Sequence, residues 1–243
     1  RGITMKGVPG KQNQSKLRKE YQKKDGESEE GELFKRKKSE LSDSERVLLL
    51  QRGLYQKAKQ EKGYKFYVLY DKVFLGYILR ESWNQVKANG GSSGIDGVRI
   101  EDIKERGVEG YLGEELRTKQ YRAQAVKRVM IPKANGGERP LGIPTVRDRI
   151  VQTACKLILE PIFEADFEDS SHGFRPGRSA AGAMGAIKEH LESGLDEVLD
   201  GDLSKYFDTI PHEKLLIALK ERISDPRMLD LINQWLKVPI WED

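Results

Sequence analysis

At 243 residues the chain is long enough to bury an independent core, and 37% hydrophobic against 34% charged residues describes a water-compatible chain with no apolar run that could span a bilayer. A single cysteine, Cys155, rules out internal disulfides and fits a reducing, cytoplasmic setting, and no signal peptide is legible at the start. The net charge is only +4 but unevenly placed: residues 1–40 hold 12 Lys+Arg against 7 Asp+Glu, leaving 31 against 32 elsewhere. Such an arm suits a polyanion, and it equally suits an ordinary solvated tail.

Residues 1–40 carry Gly, Gln, Ser, Lys and Glu with almost no apolar side chains, so they are predicted to be a flexible basic arm. Folded structure is expected from Ser42, where Ser42-Asp43-Ser44-Glu45 forms a capping box ahead of Val47, Leu48, Leu50 and Leu54 at helical spacing. A second helical pattern joins Tyr67, Leu69, Tyr70, Val73, Phe74, Tyr77, Ile78 and Trp83 and ends in the loop Asn89-Gly90-Gly91-Ser92-Ser93-Gly94. Those aromatics fit a core better than a base-stacking platform. A short helical piece bears Tyr111, Leu112 and Leu116.

Residues 125–131 read as a strand, and Asn135-Gly136-Gly137 turns it back into Arg139-Pro140-Leu141-Gly142-Ile143-Pro144, whose prolines point to a sheet edge. A three-residue loop would set Lys133 and Arg139 opposite each other on one face, a repulsive pairing unless an anion lies between them. A triphosphate suits, since Arg offers a fork and Lys a point charge; a solvated turn is the plainer reading. Arg117, Lys119, Arg122, Lys127 and Arg128, with Tyr121 among them, form a basic stretch able to track a phosphate backbone or stack a base, though basic faces are often only solvating.

Thr145-Val146-Arg147-Asp148 offers another capping box, for a helix burying Ile150, Val151, Ala154, Leu157 and Ile158, with Pro161 expected to bend it. After the Gly-rich segment near His172, a helix to about Glu192 leads into Glu197-Val198-Leu199-Asp200-Gly201-Asp202-Leu203, read as a short strand. Two-metal phosphoryl transfer needs carboxylates held at strand ends, which suits Asp202. A bulky ring such as Phe207 just beyond could pack under a sugar and exclude a 2′-hydroxyl; taken alone, each residue is more simply a solvated acid or a core ring. Pro211 suits the first turn of a final helix carrying Leu215, Leu216, Leu219 and Ile223. The three histidines lack metal-ligand spacing, and no phosphate-binding Gly-rich loop, dinucleotide fingerprint or nucleophile elbow occurs.

The blocks Gly94-Ile95-Asp96-Gly97-Val98, Ile131-Pro132-Lys133, Arg139-Pro140-Leu141-Gly142-Ile143-Pro144, Gly173-Phe174-Arg175-Pro176-Gly177-Arg178-Ser179 and Gly201-Asp202-Leu203-Ser204-Lys205-Tyr206-Phe207-Asp208 occur in one order. Together they resemble the early blocks of group II intron-encoded reverse transcriptases and maturases, from about Gln51 onward. The resemblance implies an α+β right-hand polymerase fold, largely helical with short antiparallel strands: fingers over 41–155, the start of a palm over 156–210, and a helical segment over 211–243 that returns toward the fingers. It implies Asp202 as the catalytic metal-binding aspartate with the backbone carbonyl of Leu203 beside it, Phe207 as the group excluding ribonucleotides, and Lys133 and Arg139 on the incoming triphosphate. Two Mg²⁺ ions, deoxynucleoside triphosphates, an RNA template with a DNA primer and intron RNA are the implied cofactor and partners; homodimerisation is left open.

The family's later Asp-Asp pair and its Gln-Gly block are absent from the sequence, so a fragment inactive on its own is expected. Ser204-Lys205 departs from a pattern in which Lys stands two places after the aspartate. A splicing cofactor without polymerase activity, and a reverse transcriptase of another bacterial retroelement, are the alternatives.

Overall fold

In the computed structural model, which describes residues 41–132, 136–203 and 206–242, helix α1 (Asp43–Gln60) begins at its predicted cap. Ser42 Oγ accepts from the Glu45 backbone N–H at 3.3 Å, and Glu45 Oε2 accepts from the Ser42 N–H at 2.7 Å. Both halves of the capping box are therefore made, satisfying two donors that the helix leaves open. The predicted arm over residues 1–40, together with Lys133, Asn135, Ser204 and Lys205, lies outside the described residues.

The single helix expected through Tyr67 to Trp83 is two: α2 (Tyr70–Val73) and α3 (Gly76–Asn89), parted at Leu75, whose backbone is extended at φ −63°, ψ 130°. A carboxylate distant in sequence sets where α2 begins. Asp225 Oδ2 accepts from the N–H groups of Leu69 and Tyr70 at 2.7 and 2.8 Å, so the start of α2 is fixed by the far end of the chain. Helix α4 (Ile100–Arg106), a π-helical turn (Glu109–Gly113) and α5 (Glu114–Arg117) follow. The segment between α3 and α4 holds Gly94 against the backbone of Thr145, where an added Cβ would lie 2.6 Å from Thr145 Cα; only glycine fits.

Strands β1 (Val126–Pro132) and β2 (Glu138–Ile143) form the expected antiparallel hairpin. Helix α6 (Val146–Glu164) is the centre of the molecule, with α1 and α3 packed on it. Its Ile150, Val151, Ala154, Leu157 and Ile158 are all buried, as their spacing predicts, each large apolar side chain contributing on the order of 1.5–3 kcal/mol. Thr145 caps it by accepting from the Asp148 N–H at 3.2 Å, but the reciprocal half of that predicted capping box is missing. Asp148 gives its carboxylate instead to the Tyr121 hydroxyl at 2.6 Å and the Gln124 N–H at 3.0 Å. Pro161 lies inside the helix and has no N–H for the Leu157 carbonyl four residues earlier; the side-chain amide of Gln51 donates to that oxygen at 2.8 Å.

Beyond α6 come α7 (Ala180–Glu192), α8 (Tyr206–Thr209), α9 (His212–Lys220), α10 (Pro226–Lys237) and β3 (Ile240–Trp241). The last two rejoin the body formed by the first helices. Ile223 bridges Phe66, Met228 and Leu231 are buried in the common core, and Cys155 Sγ lies 3.7 Å from Met228 Sδ. Arg222 is buried at this junction, pairing with Asp166 at 2.9 Å and donating to the carbonyls of Ala58, Glu61, Lys62 and Tyr64. β3 pairs with β1 in parallel, giving the order β2-β1-β3. The fold is thus largely helical α+β with a small mixed sheet rather than one of antiparallel strands alone. Among the described residues no helix is long and apolar enough to cross a membrane.

Candidate functional site

The segment after α6 is built around a buried charge. Arg175 donates to both Glu164 oxygens, at 2.7 and 3.2 Å, and to the carbonyls of Glu168 and Ser171 at 2.5 and 2.7 Å, with its guanidinium 5.0 Å from the Phe167 ring centroid. The hydrogen bonds it donates to the Glu164 carboxylate hold the Arg175 pKa above the ordinary arginine value. Paired and fully bonded, this buried charge is tolerable; losing either partner would leave the other uncompensated. Arg178 pairs with Asp169 at 3.0 Å, and Ser179 caps α7 by accepting from the Gly182 N–H at 3.1 Å. The clamp leaves Phe174 at φ 56°, in the left-handed region, with its ring 95% exposed. A bulky residue at such a φ costs on the order of 1–3 kcal/mol, which the surrounding bonds must offset. In the sequence this block offers only a Phe-Arg-Pro run between glycines, which by itself assigns no role to Phe174 or Arg175.

Residues 197–203 do not form the predicted strand, and Asp200, Asp202 and Leu203 are exposed. A strand exists only by pairing, and the three strands of the sheet, 126–132, 138–143 and 240–241, lie elsewhere in the chain. The short apolar run flanked by acids at 197–203 is therefore a strand pattern without a partner among the described residues. Phe207, predicted as a gate beside Asp202, stands on α8 and is 73% exposed. Its ring meets Phe174 edge-to-face, centroids 5.9 Å apart at 89°, and Tyr206 on its other side at 5.4 Å and 67°. Two sequence blocks more than thirty residues apart are thereby joined at the residue singled out for sugar selection.

On the hairpin the register pairs Ile131 with Arg139 and Pro132 with Glu138, so Arg139 does not face Lys133 as a three-residue loop would require. The connection is longer, running from 133 to 137, and the partner positions move by two residues. A shift of two preserves the face, because side chains alternate with period two. Arg139 is exposed on β2; Lys133 lies outside the described residues.

The predicted basic stretch divides into several environments. Arg117 pairs with Glu114 at 2.8 Å, and Lys119 is exposed at φ 60°. Arg122 turns back, donating to the carbonyls of Lys119 and Tyr121 at 2.8 and 2.7 Å. Lys127 sits over the Trp241 ring at 5.9 Å, and Arg128 pairs with Glu242 at 2.5 Å. Tyr121 is not available to stack a base. It is 2% exposed, donates to Asp148, and accepts from the Trp235 indole N–H at 3.1 Å. Burial, together with the neighbouring Asp148 carboxylate, drives its pKa far above the ordinary tyrosine value. Its neighbours in sequence are basic, but its own partners come from α6 and α10.

Among the described residues no group of three or more His, Cys, Asp or Glu side chains is arranged to hold a metal ion. Asp202 and Asp200 alone do not make the centre that two Mg²⁺ ions require.

Comparison with known proteins bears on these residues directly. Residues 131–242, from the end of β1 through Arg139, Asp202 and Phe207, match the family described as Reverse transcriptase (RNA-dependent DNA polymerase). The chain is similar to the Group II intron-encoded protein LtrA of Lactococcus lactis subsp. cremoris, 39% identical over 149 residues, covering 61% of this chain and 24% of that protein. The similarity is thus to reverse transcriptases over residues 131–242 and to a group II intron-encoded protein over 149 residues. Protein YkfC of Escherichia coli strain K12 is 45% identical over 150 residues, 59% of this chain and 39% of that protein. An uncharacterized 91 kDa protein in the cob intron of Schizosaccharomyces pombe is 32% identical over 191 residues, 74% of this chain and 23% of that protein. The chain thus spans between 23% and 39% of the length of these relatives.

Proposed function

We propose that the whole protein is the RNA-directed DNA polymerase of a group II intron and that it also binds its intron RNA and assists splicing. The observation that carries this reading is the family match over residues 131–242, which spans the hairpin arginine, the exposed Asp202 and the aromatic contact at Phe207. In this reading residues 41–155 are fingers, 156–210 begin a palm and 211–243 return to the fingers. That last step is supported by the Phe66 to Ile223 bridge and by the burial of Met228 and Leu231 among the first helices.

Each residue then has a stated task. Arg139, with Lys133, meets the triphosphate of the incoming deoxynucleotide, a charge-assisted contact that a guanidinium fork makes well. Phe207 lies against the sugar and leaves no room for a 2′-hydroxyl. Asp202, with the Leu203 carbonyl, offers oxygen ligands of the kind Mg²⁺ takes, which when bound would neutralise charge on the phosphates. The described residues do not complete such a centre, so the roles assigned to this chain are grip, selection and one carboxylate. Arg117, Lys119, Lys127 and Arg128 are the candidates for contact with the RNA backbone.

The test is primer extension by the whole protein on an RNA template with an annealed DNA primer, beside salt-dependent binding of the intron RNA. Extension with deoxynucleotides, and a rise of roughly tenfold or more in the KM for deoxynucleotide on Arg139→Ala, are expected. Tight intron binding with no extension by the unaltered protein would instead favour a splicing cofactor without polymerase activity.

A further inference from the structure

Phe207 stands on the four-residue helix α8, which buries no residue, so the hydrophobic core does not fix its ring. Two aromatic neighbours flank it. Tyr206 shares its helix, whereas Phe174 comes from the clamped segment after α6. Both Phe174 and Phe207 are largely exposed, at 95% and 73%, so their contact is not a by-product of core packing.

What fixes the contact is the backbone under Phe174. Its φ of 56° aims the side chain in a direction an ordinary backbone would not, and the next residue, Arg175, is anchored through Glu164 and the carbonyls of Glu168 and Ser171. Pro176 then restricts the backbone of Arg175. The ring of Phe174 is therefore carried on a rigid mount rooted in the last turn of α6, while the ring of Phe207 is carried on a short exposed helix. An edge-to-face pair transmits orientation from the first to the second, because the positive edge of one ring favours the negative face of the other.

We propose that Phe174 is a positioning residue that holds the Phe207 ring and so sets how strictly the protein separates deoxyribonucleotides from ribonucleotides. The inference rests on the reading of Phe207 as the sugar-selecting group. Its signature is in selectivity: loss of Phe174 lets the Phe207 ring turn away and a 2′-hydroxyl enter, while the residues gripping the triphosphate are untouched.

The experiment measures kcat/KM for a deoxynucleotide and for the matching ribonucleotide in the whole protein. Phe207→Ala is expected to lose most of the discrimination. Phe174→Ala should lower the ratio about three- to tenfold, mainly through better use of the ribonucleotide, the size an aromatic pair can carry. Phe174→Tyr, which keeps the ring, should restore it, and the double alanine variant should discriminate no worse than Phe207→Ala alone. If Phe207→Ala reduces discrimination and Phe174→Ala does not, the positioning role is overturned while the gate stands. If Phe207→Ala itself changes nothing, the gate reading fails and this inference with it. An equal fall in kcat/KM for both nucleotides on Phe174→Ala would mean a structural role only, and overturns the proposal. Phe174→Leu is read by the same criteria should the alanine variant not fold.

Discussion

In the body around α6 several buried polar groups have more than one partner: Arg222 donates to four carbonyls beside Asp166, Asp225 accepts from the N–H groups opening α2, and Tyr121 bonds both Asp148 and Trp235. Helices α7, α8 and α9 bury no residue at all, and α7 turns Met184, Ile187 and Leu191 to solvent along one side. The residues assigned chemistry fall with the second group or on the outer hairpin: Asp202, Leu203, Phe207 and Arg139 are all exposed. The buried polar groups and the residues for which chemistry is proposed therefore lie in different parts of the chain, with the buried Arg175–Glu164 pair between them. An unpaired buried charge would be ruinous in the first region, while in the second a charge can wait for a ligand in water at little cost.

That division is broken most severely at the buried junction. Arg222→Leu should destabilise the chain by about 1–3 kcal/mol for the buried Ala58 carbonyl alone, with the carbonyls of Glu61, Lys62 and Tyr64 that lose the same donor adding to it; denaturant unfolding measures it. Gly94→Ala forces a Cβ against the Thr145 backbone and is expected to cost about 1–3 kcal/mol in the same experiment. Tyr121→Phe removes one donor to buried Asp148, with a loss of about 1–3 kcal/mol. The smallest effect is at the surface. The hydrogen bond from Arg80 holds Asp43 below its ordinary carboxylate pKa. The stability it adds is complete above the unfolded-state value and fades as pH falls through the lower folded value. Asp43→Asn should therefore cost about 0.2–1 kcal/mol at pH 7 and nearly nothing once the acid is protonated in both states. In the exposed group, by contrast, Phe207→Ala should shift unfolding by less than about 0.5 kcal/mol.

The sequence disclosed what is local and little of what is not. The Ser42 cap, the buried side of α6 and the antiparallel hairpin rest on short-range pattern and appear as expected. The strand expected at 197–203 fails because a short apolar run flanked by acids specifies no pairing partner. Likewise the start of α2, the missing second half of the Thr145 capping box and the burial of Tyr121 involve Asp225, Gln124 and Trp235, which lie many positions away. The parallel pairing of β3 with β1 joins residues more than a hundred apart. Of the candidate site, the ordered blocks named the residues, but the Phe174–Phe207 contact and the Arg175 mount needed coordinates.

The most direct test of the division is Asp202→Ala in the whole protein, with primer extension on an RNA template and binding of intron RNA measured on the same preparation. Extension is expected to fall by several orders of magnitude while RNA affinity and unfolding free energy stay near those of the unaltered protein. Undiminished extension, or loss of extension only in step with loss of folding, would contradict the role given to Asp202.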